Sequence, residues 1–171
     1  MSVMGKILLA EREGVKVLKF VGDVRVALSP TLSEFVKSLG KTTNAHSIII
    51  DLTETEGIDS TSLGLLAKIS LKSQEALHCL PTIVSSKDDI TRILFSMGFD
   101  NVFVIVNEAN GEVGPLGELP TQMVSEDALR EQVLEAHRIL MSLNRQNEDT
   151  FRNLVEALES EHQKEELRAV R

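Results

Sequence analysis

The stretch that decides the fold is residues 48–66, IIIDLTETEGIDSTSLGLL. Its run of three isoleucines is typical of a strand that is buried on both faces. The polar residues 53–57, which end in glycine, predict a connecting loop. Apolar residues then recur at helical spacing from Leu63. The stretch therefore predicts a strand, a loop and a helix, with three hydroxyl residues at the helix N-terminus: Ser60, Thr61 and Ser62, called here the hydroxyl cluster.

Two interpretations of the hydroxyl cluster follow from this position. A helix N-terminus offers unpaired N–H groups and the positive end of the helix dipole. Asp, Ser and Thr side chains commonly cap those N–H groups. A phosphate group is also favoured there, so a phosphorylation site is the second interpretation of the cluster. Spacing alone favours capping, because capping residues are ordinary and phosphorylation sites are not.

The segment resembles the signature of STAS domains, the family of the anti-sigma factor antagonists. That signature is a hydrophobic strand, Asp-Leu, a short loop and Asp-Ser-Ser/Thr-Gly-Leu, and here Asp51-Leu52 and residues 59–64 (DSTSLG) occupy it. In the family, the serine that follows the second Asp is the regulatory phosphorylation site. The resemblance therefore implies phosphorylation of Ser60, with Thr61 or Ser62 as second choice. The chain departs from the pattern at Ser62, where the family usually has glycine.

The resemblance also implies a partner-binding surface around the phosphorylation site. Residues 22–25 (GDVR) resemble the family's Gly-x-Leu-Asp loop, although a plain turn before a helix explains them equally well. Leu65 is interpreted either as an exposed apolar residue beside the hydroxyls or as a core residue. The expected partner-binding residues are Gly22, Asp23, Asp59, Ser60, Thr61, Ser62, Gly64 and Leu65.

Composition limits the classes of function. The chain has 171 residues, of which 42% are hydrophobic and 26% charged, as in an ordinary soluble globular protein. The net charge of −8 argues against nucleic acid or an anionic membrane as direct partners. No apolar run is long enough to span a bilayer, so we expect a cytoplasmic protein. Cys79 is the single cysteine, and no catalytic or metal-binding motif is evident, so we expect no enzyme activity, no cofactor and no metal.

The order of predicted elements is ββαβαβαβ, which indicates an α/β fold with a mixed, mostly parallel sheet of the STAS type. Glu13-Gly14 predicts a hairpin turn between the first two strands. The resemblance covers residues 7–106. We therefore predict a STAS domain over residues 1–107, a linker over 108–120 that is rich in Gly and Pro, and a helical C-terminal extension over 121–171.

The extension carries two apolar stripes, one in residues 129–143 and one in residues 151–158. The polar residues 144–149 between them contain neither Gly nor Pro, so both a helical hairpin and one long helix are compatible with the sequence. Each stripe needs a partner, because a lone amphipathic helix is marginal in water. That partner is either the chain's own STAS domain or another surface, including a second copy of the chain.

These observations predict an anti-sigma factor antagonist that acts by partner switching. As the resemblance implies, it would sequester an anti-sigma factor or a serine kinase regulator, phosphorylation of Ser60 would abolish binding, and a serine phosphatase would restore it. The alternative is a STAS scaffold module that self-associates through its helical extension.

Overall fold

The computed structural model describes residues 4–39, 44–109, 111 and 113–170. Within those residues the chain forms seven strands and five helices. The strands are β1 (Lys6–Arg12), β2 (Val15–Val24), β3 (Ser47–Asp51), β4 (Thr55–Ile58), β5 (Thr82–Val84), β6 (Val104–Val106) and β7 (Gly117–Glu118). The helices are α1 (Ser29–Leu39), α2 (Ser60–Leu77), α3 (Asp88–Ser96), α4 (Glu126–Leu143) and α5 (Arg145–Ala169).

The strands form one mixed sheet in the order β6-β5-β3-β2-β1-β7, with β4 beside the C-terminal part of β2. Strand β1 is antiparallel to both of its neighbours, whereas β2, β3, β5 and β6 are parallel. Glu13 and Gly14 both have positive φ, 51° and 81°, which suits a tight hairpin turn between β1 and β2. The predicted α/β fold with a mostly parallel mixed sheet is therefore confirmed.

The core lies on the helix-covered face of the sheet. Alternate strand residues such as Leu18, Phe20 and Ile50 are completely buried. They belong to one apolar cluster with buried residues of α1, α2 and α3, among them Leu32 and Leu66. This packing fixes α2 against the sheet, so that its N-terminus lies just beyond the end of β4.

Two predicted loops are instead part of the sheet. Residues 53–57 were expected to be a loop, but β4 starts at Thr55. Gly22 and Asp23 were expected to form a loop or turn, but they lie in β2 and pair with β4, with a register shift between them and a φ of 82° at Gly22. The two loop predictions were wrong because a polar residue can lie in a buried strand when its side chain forms a hydrogen bond. The Thr55 hydroxyl is buried and donates to the Phe20 carbonyl oxygen at 2.8 Å.

The extension forms a helical hairpin that packs on the domain. Helices α4 and α5 pack against each other, and α4 also packs against α2 and α1. The break between them is at Asn144, which has extended backbone angles and whose side chain accepts a hydrogen bond from the Asn147 N–H at 2.8 Å. The Asn147 amide donates to the Met97 and Leu140 carbonyl oxygens. Asparagine side chains thus stabilise the turn without Gly or Pro. The domain limits at residues 107 and 120 stay a prediction.

Candidate functional site at the N-terminus of helix α2

Helix α2 begins at Ser60 and is capped by Asp59. One Asp59 carboxylate oxygen, Oδ1, accepts a hydrogen bond from the Ser62 N–H at 2.9 Å. The other, Oδ2, accepts from the Val26 N–H at 2.8 Å. Asp59 therefore caps α2 and also ties it to the short 3-10 turn Val26–Leu28 that follows β2. With the cap supplied by Asp59, the Ser60 side chain is available for another contact.

The three hydroxyl residues differ in accessibility. Thr61 is 6% exposed and Ser62 is 1% exposed, so both face the protein interior. Ser60 is only partly buried. A modifying enzyme would reach Ser60 with the least rearrangement, which agrees with the predicted order of preference among the three.

The Ser60 hydroxyl contacts a histidine of the extension. Its Oγ lies 2.8 Å from Nε2 of His137, a residue of α4 that is 2% exposed. His137 Nδ1 lies 2.7 Å from the Val133 carbonyl oxygen, which can only accept a hydrogen bond. Nδ1 must therefore carry the ring proton, and Nε2 of the neutral ring is an acceptor. In that neutral form of the ring, Ser60 donates its hydroxyl proton to His137.

Two further contacts continue this interface along α2. The backbone of α4 lies so close to Gly64 that a Cβ placed there would be 2.2 Å from the Ala136 carbonyl oxygen. One turn further on, Lys68 Nζ pairs with a Glu135 carboxylate oxygen at 2.6 Å. Three α2 residues spaced four apart, 60, 64 and 68, thus meet three consecutive residues of α4. Lys68 is partly buried because the extension covers it.

The other predicted partner-binding residues divide into two groups. Leu65 is 1% exposed and belongs to the core, so the expectation that it is an exposed partner-binding residue beside the hydroxyls was wrong, and its core interpretation holds. Gly22 and Asp23 lie at the end of β2 beside β4, and the Asp59 N–H donates to the Val24 carbonyl oxygen at 3.1 Å. The fold thus brings residues 22–24 and 59–60 to the same edge of the sheet, although they are far apart in sequence.

The electrostatics of this edge are shaped by a lysine of β2. Lys19 forms an ion pair and a hydrogen bond with Glu54, and this interaction lowers the pKa of the Glu54 carboxyl group below its ordinary value. The Lys87 ammonium group donates to the Thr55 carbonyl oxygen at 3.0 Å. Two lysines thus lie near this edge, one of them paired with Glu54, and the edge is not uniformly acidic.

Sequence reasoning missed the residues of α4 that complete the site. His137 is isolated in sequence and matches no motif. The helical stripe that contains Ala136 and Leu140 predicted that this part of the chain needs a partner, but it did not identify α2 as that partner. Small residues on both helices, Gly64 and Ala136, are the one local sign of a close helix contact.

No group of three or more His, Cys, Asp or Glu side chains in residues 4–39, 44–109, 111 and 113–170 is arranged to hold a metal ion. No helix within the same ranges combines the length and the apolar character that a bilayer crossing requires.

Comparison with known proteins identifies the family. The STAS domain family profile matches residues 6–111, which is more than half of the chain, and the protein belongs to this family. The fold is similar to the crystal structure of an anti-sigma factor antagonist from Mycobacterium paratuberculosis, with a TM-score of 0.56 and 19% sequence identity. That match covers 64% of this chain and 93% of the other. The family match ends before α4, so the helical hairpin lies outside it.

Proposed function

We propose that this protein is a phosphorylation-controlled anti-sigma factor antagonist that acts by partner switching. The observation that carries the proposal is the position of Ser60 on a STAS fold. Ser60 follows the capping residue Asp59, begins α2, and is the least buried hydroxyl residue of the cluster. In its unphosphorylated form the protein would sequester an anti-sigma factor or a serine kinase regulator and so release whatever that regulator holds.

Phosphorylation of Ser60 supplies a switch for physical reasons. The Ser60 Oγ forms a bond to the γ-phosphorus of ATP while the bond from that phosphorus to the β–γ bridging oxygen breaks. ADP leaves, and the hydroxyl proton passes to a base of the kinase. The product carries close to two negative charges beside Asp59. The helix N-terminus tolerates that charge, whereas a partner surface that must cover it meets like-charge repulsion and a desolvation cost.

The remaining roles in this cycle belong to other proteins. The kinase is the regulator itself or a serine kinase associated with it, and a separate serine phosphatase restores the free hydroxyl. In this proposal the chain is a substrate and a binding protein, not an enzyme, and it works in the cytoplasm with its partners.

The test compares Ser60→Ala with Ser60→Asp in pull-downs against each anti-sigma factor and serine kinase regulator of the source organism. Both variants lose the hydroxyl that donates to His137, so the difference between them isolates the added charge. We expect Ser60→Ala to capture a partner and Ser60→Asp to lose it. A matched control is Ser86→Asp, which places a new carboxylate on an exposed residue between β5 and α3. Equal capture by Ser60→Asp and Ser60→Ala would contradict the switch.

Phosphopeptide mapping tests the site independently. Protein phosphorylated by the captured kinase should carry phosphate on Ser60, with Thr61 and Ser62 as the only acceptable alternatives. Phosphate found solely outside these three residues would refute the assignment.

The scaffold alternative receives less support from the packing. Leu134, Ala136 and Leu140 of α4 are buried within the same chain, as are Phe151 and Val155 of α5. Most of the apolar residues that a self-associating hairpin would use are thus occupied, and Leu154 is an exposed exception. Sedimentation velocity should give a monomer in the absence of partners, and a stable oligomer that Leu140→Ser dissociates would favour the scaffold.

A further inference from the structure

The hairpin formed by α4 and α5 covers one side of the surface around Ser60. Ser60, Gly64 and Lys68 lie on one face of α2, and each contacts α4. Ser60 and Gly64 are also among the residues expected to bind the partner. A protein that approached this face of α2 would have to displace α4 first.

The contact at Ser60 depends on the proton that phosphorylation removes. In the neutral imidazole, His137 Nε2 accepts the Ser60 hydroxyl proton, because Nδ1 donates to the Val133 carbonyl oxygen within the same helix. Once Ser60 is esterified, its Oγ carries no proton. With the imidazole neutral, two acceptors would then face each other at the present distance of 2.8 Å, in a place where the imidazole is 2% exposed. A buried acceptor that loses its donor is costly, and the phosphoryl group also needs space beside α4.

The close approach at Gly64 leaves α4 little room to adjust. The Ala136 carbonyl group occupies the position where any side chain at 64 would begin. The Phe151 ring of α5 also packs edge-on against the His137 ring, with a centroid separation of 5.3 Å. The imidazole thus contacts both Ser60 and α5, so a displacement of this ring by a phosphate would disturb the hairpin.

From this geometry we infer that the hairpin is an intramolecular competitor for the Ser60 surface, and that its docking and the phosphorylation of Ser60 oppose each other. The inference rests on the proposed function, because it assigns regulation to the same site. Docking shields Ser60 from the kinase and α2 from the partner, and a phosphate on Ser60 releases the hairpin. The two effects are reciprocal at equilibrium. The factor by which a phosphate on Ser60 lowers the docking constant of the hairpin equals the factor by which docking lowers the equilibrium constant for phosphorylation.

The first experiment places phosphoserine at a chosen position of the full-length chain during synthesis and measures amide hydrogen exchange in α4. Phosphoserine at position 60 should accelerate exchange across residues 126–143 at least tenfold. The matched control carries phosphoserine at position 86, where the native serine is exposed, and it should exchange as the unmodified chain does. Equal exchange of α4 in the two phosphorylated proteins would overturn the inference.

The second experiment tests the reverse effect, in which the docked hairpin shields position 60 from a reagent. In a Cys79→Ser background, Ser60→Cys provides a single thiol whose alkylation rate by iodoacetamide reports exposure. Ala136→Glu should raise that rate at least tenfold, because it introduces a charge where α4 meets Gly64. Ala157→Glu, at an exposed alanine of α5, is the matched control and should leave the rate unchanged. If Ala136→Glu does not fold, Leu140→Ser takes its place, and an unchanged rate in the folded variant refutes the shielding.

Neither experiment contains a partner protein, so each tests the hairpin alone. If Ser60→Ala captures no partner in the pull-down, the proposed function is refuted, but the exchange and alkylation results still apply to the hairpin. Unchanged exchange and alkylation would remove the competitor role and leave partner switching at Ser60 intact.

Discussion

Gly64→Ala is the sharpest test of the contact between α2 and the C-terminal hairpin. A Cβ at position 64 would lie 2.2 Å from the Ala136 carbonyl oxygen and 2.7 Å from the Ala136 Cβ. Ordinary contacts are about 3.4 Å or longer, so α4 must retreat by about 1 Å or detach. Overpacking of this kind costs about 1–3 kcal/mol.

The same substitution favours α2 itself, because alanine is a better helix residue than glycine by about 1 kcal/mol. The two effects act on different parts of the molecule. The STAS domain keeps or gains stability, while docking of the hairpin loses about 1–3 kcal/mol, which corresponds to about a 5- to 150-fold shift toward the undocked state. A single unfolding temperature mixes these effects, so a residue-level measurement is needed.

Hydrogen exchange followed by mass spectrometry separates the two effects. In Gly64→Ala, amides of α4 should exchange about 5- to 150-fold faster, while those of β2 and β3 stay protected. The matched control is Gly117→Ala, since a Cβ at that exposed position would meet nothing within 4 Å. Unchanged α4 protection in Gly64→Ala would show that the two helices do not rely on this close approach, and the geometric reasoning would then be refuted.

Three further outcomes are expected from other parts of the structure. Asp59→Ala should lower the free energy of unfolding by about 1–2 kcal/mol in urea titrations, because it removes a helix cap and a second backbone hydrogen bond; an effect below about 0.5 kcal/mol would contradict the capping role. Lys19→Met should raise the pKa of Glu54 toward its ordinary value of 4.5 in an NMR titration. Because Lys19 lowers that pKa in the folded state, the small stabilisation exists above the unfolded-state pKa and is lost as the pH falls through the folded-state value. Limited proteolysis should cut first within residues 107–120, because the described residues of this range are mostly exposed, and a first cut within residues 48–66 would contradict the predicted domain limits.

Much of the fold could be predicted from local patterns. The isoleucine run of β3, the hairpin turn at Glu13-Gly14 and the apolar stripe of α1 are each encoded by neighbouring residues, and the structure contains all three. Strand β4 escaped prediction because its stability comes from pairing with β2 and from the Thr55 side chain, which are contacts between distant parts of the chain. Local propensity carries no information about such contacts.

The candidate site shows the same division between local and distant contacts. Asp59 and Ser60 are recognisable because capping and phosphorylation both depend on the first turn of one helix. The hydrogen bond from Ser60 to His137 joins residues 77 positions apart, and it depends on the turn at Asn144 and on where the sheet places α2. An amphipathic stripe indicates that a helix packs against a partner, but it does not identify that partner.

The STAS domain and the C-terminal hairpin contribute different parts of the candidate site. The STAS domain supplies a serine at a helix N-terminus, and the hairpin reaches it from outside the family match. Only small residues at the crossing and one hydrogen-bond acceptor are needed to make docking sensitive to a phosphate. In the proposed switch, docking and modification use the same hydroxyl group, so a change in the hairpin would alter the response of Ser60 without altering the sheet or the signature that contains it. The strength of the proposed switch would therefore be tunable in α4, at residues such as Ala136 and His137, independently of the surface expected to recognise the partner.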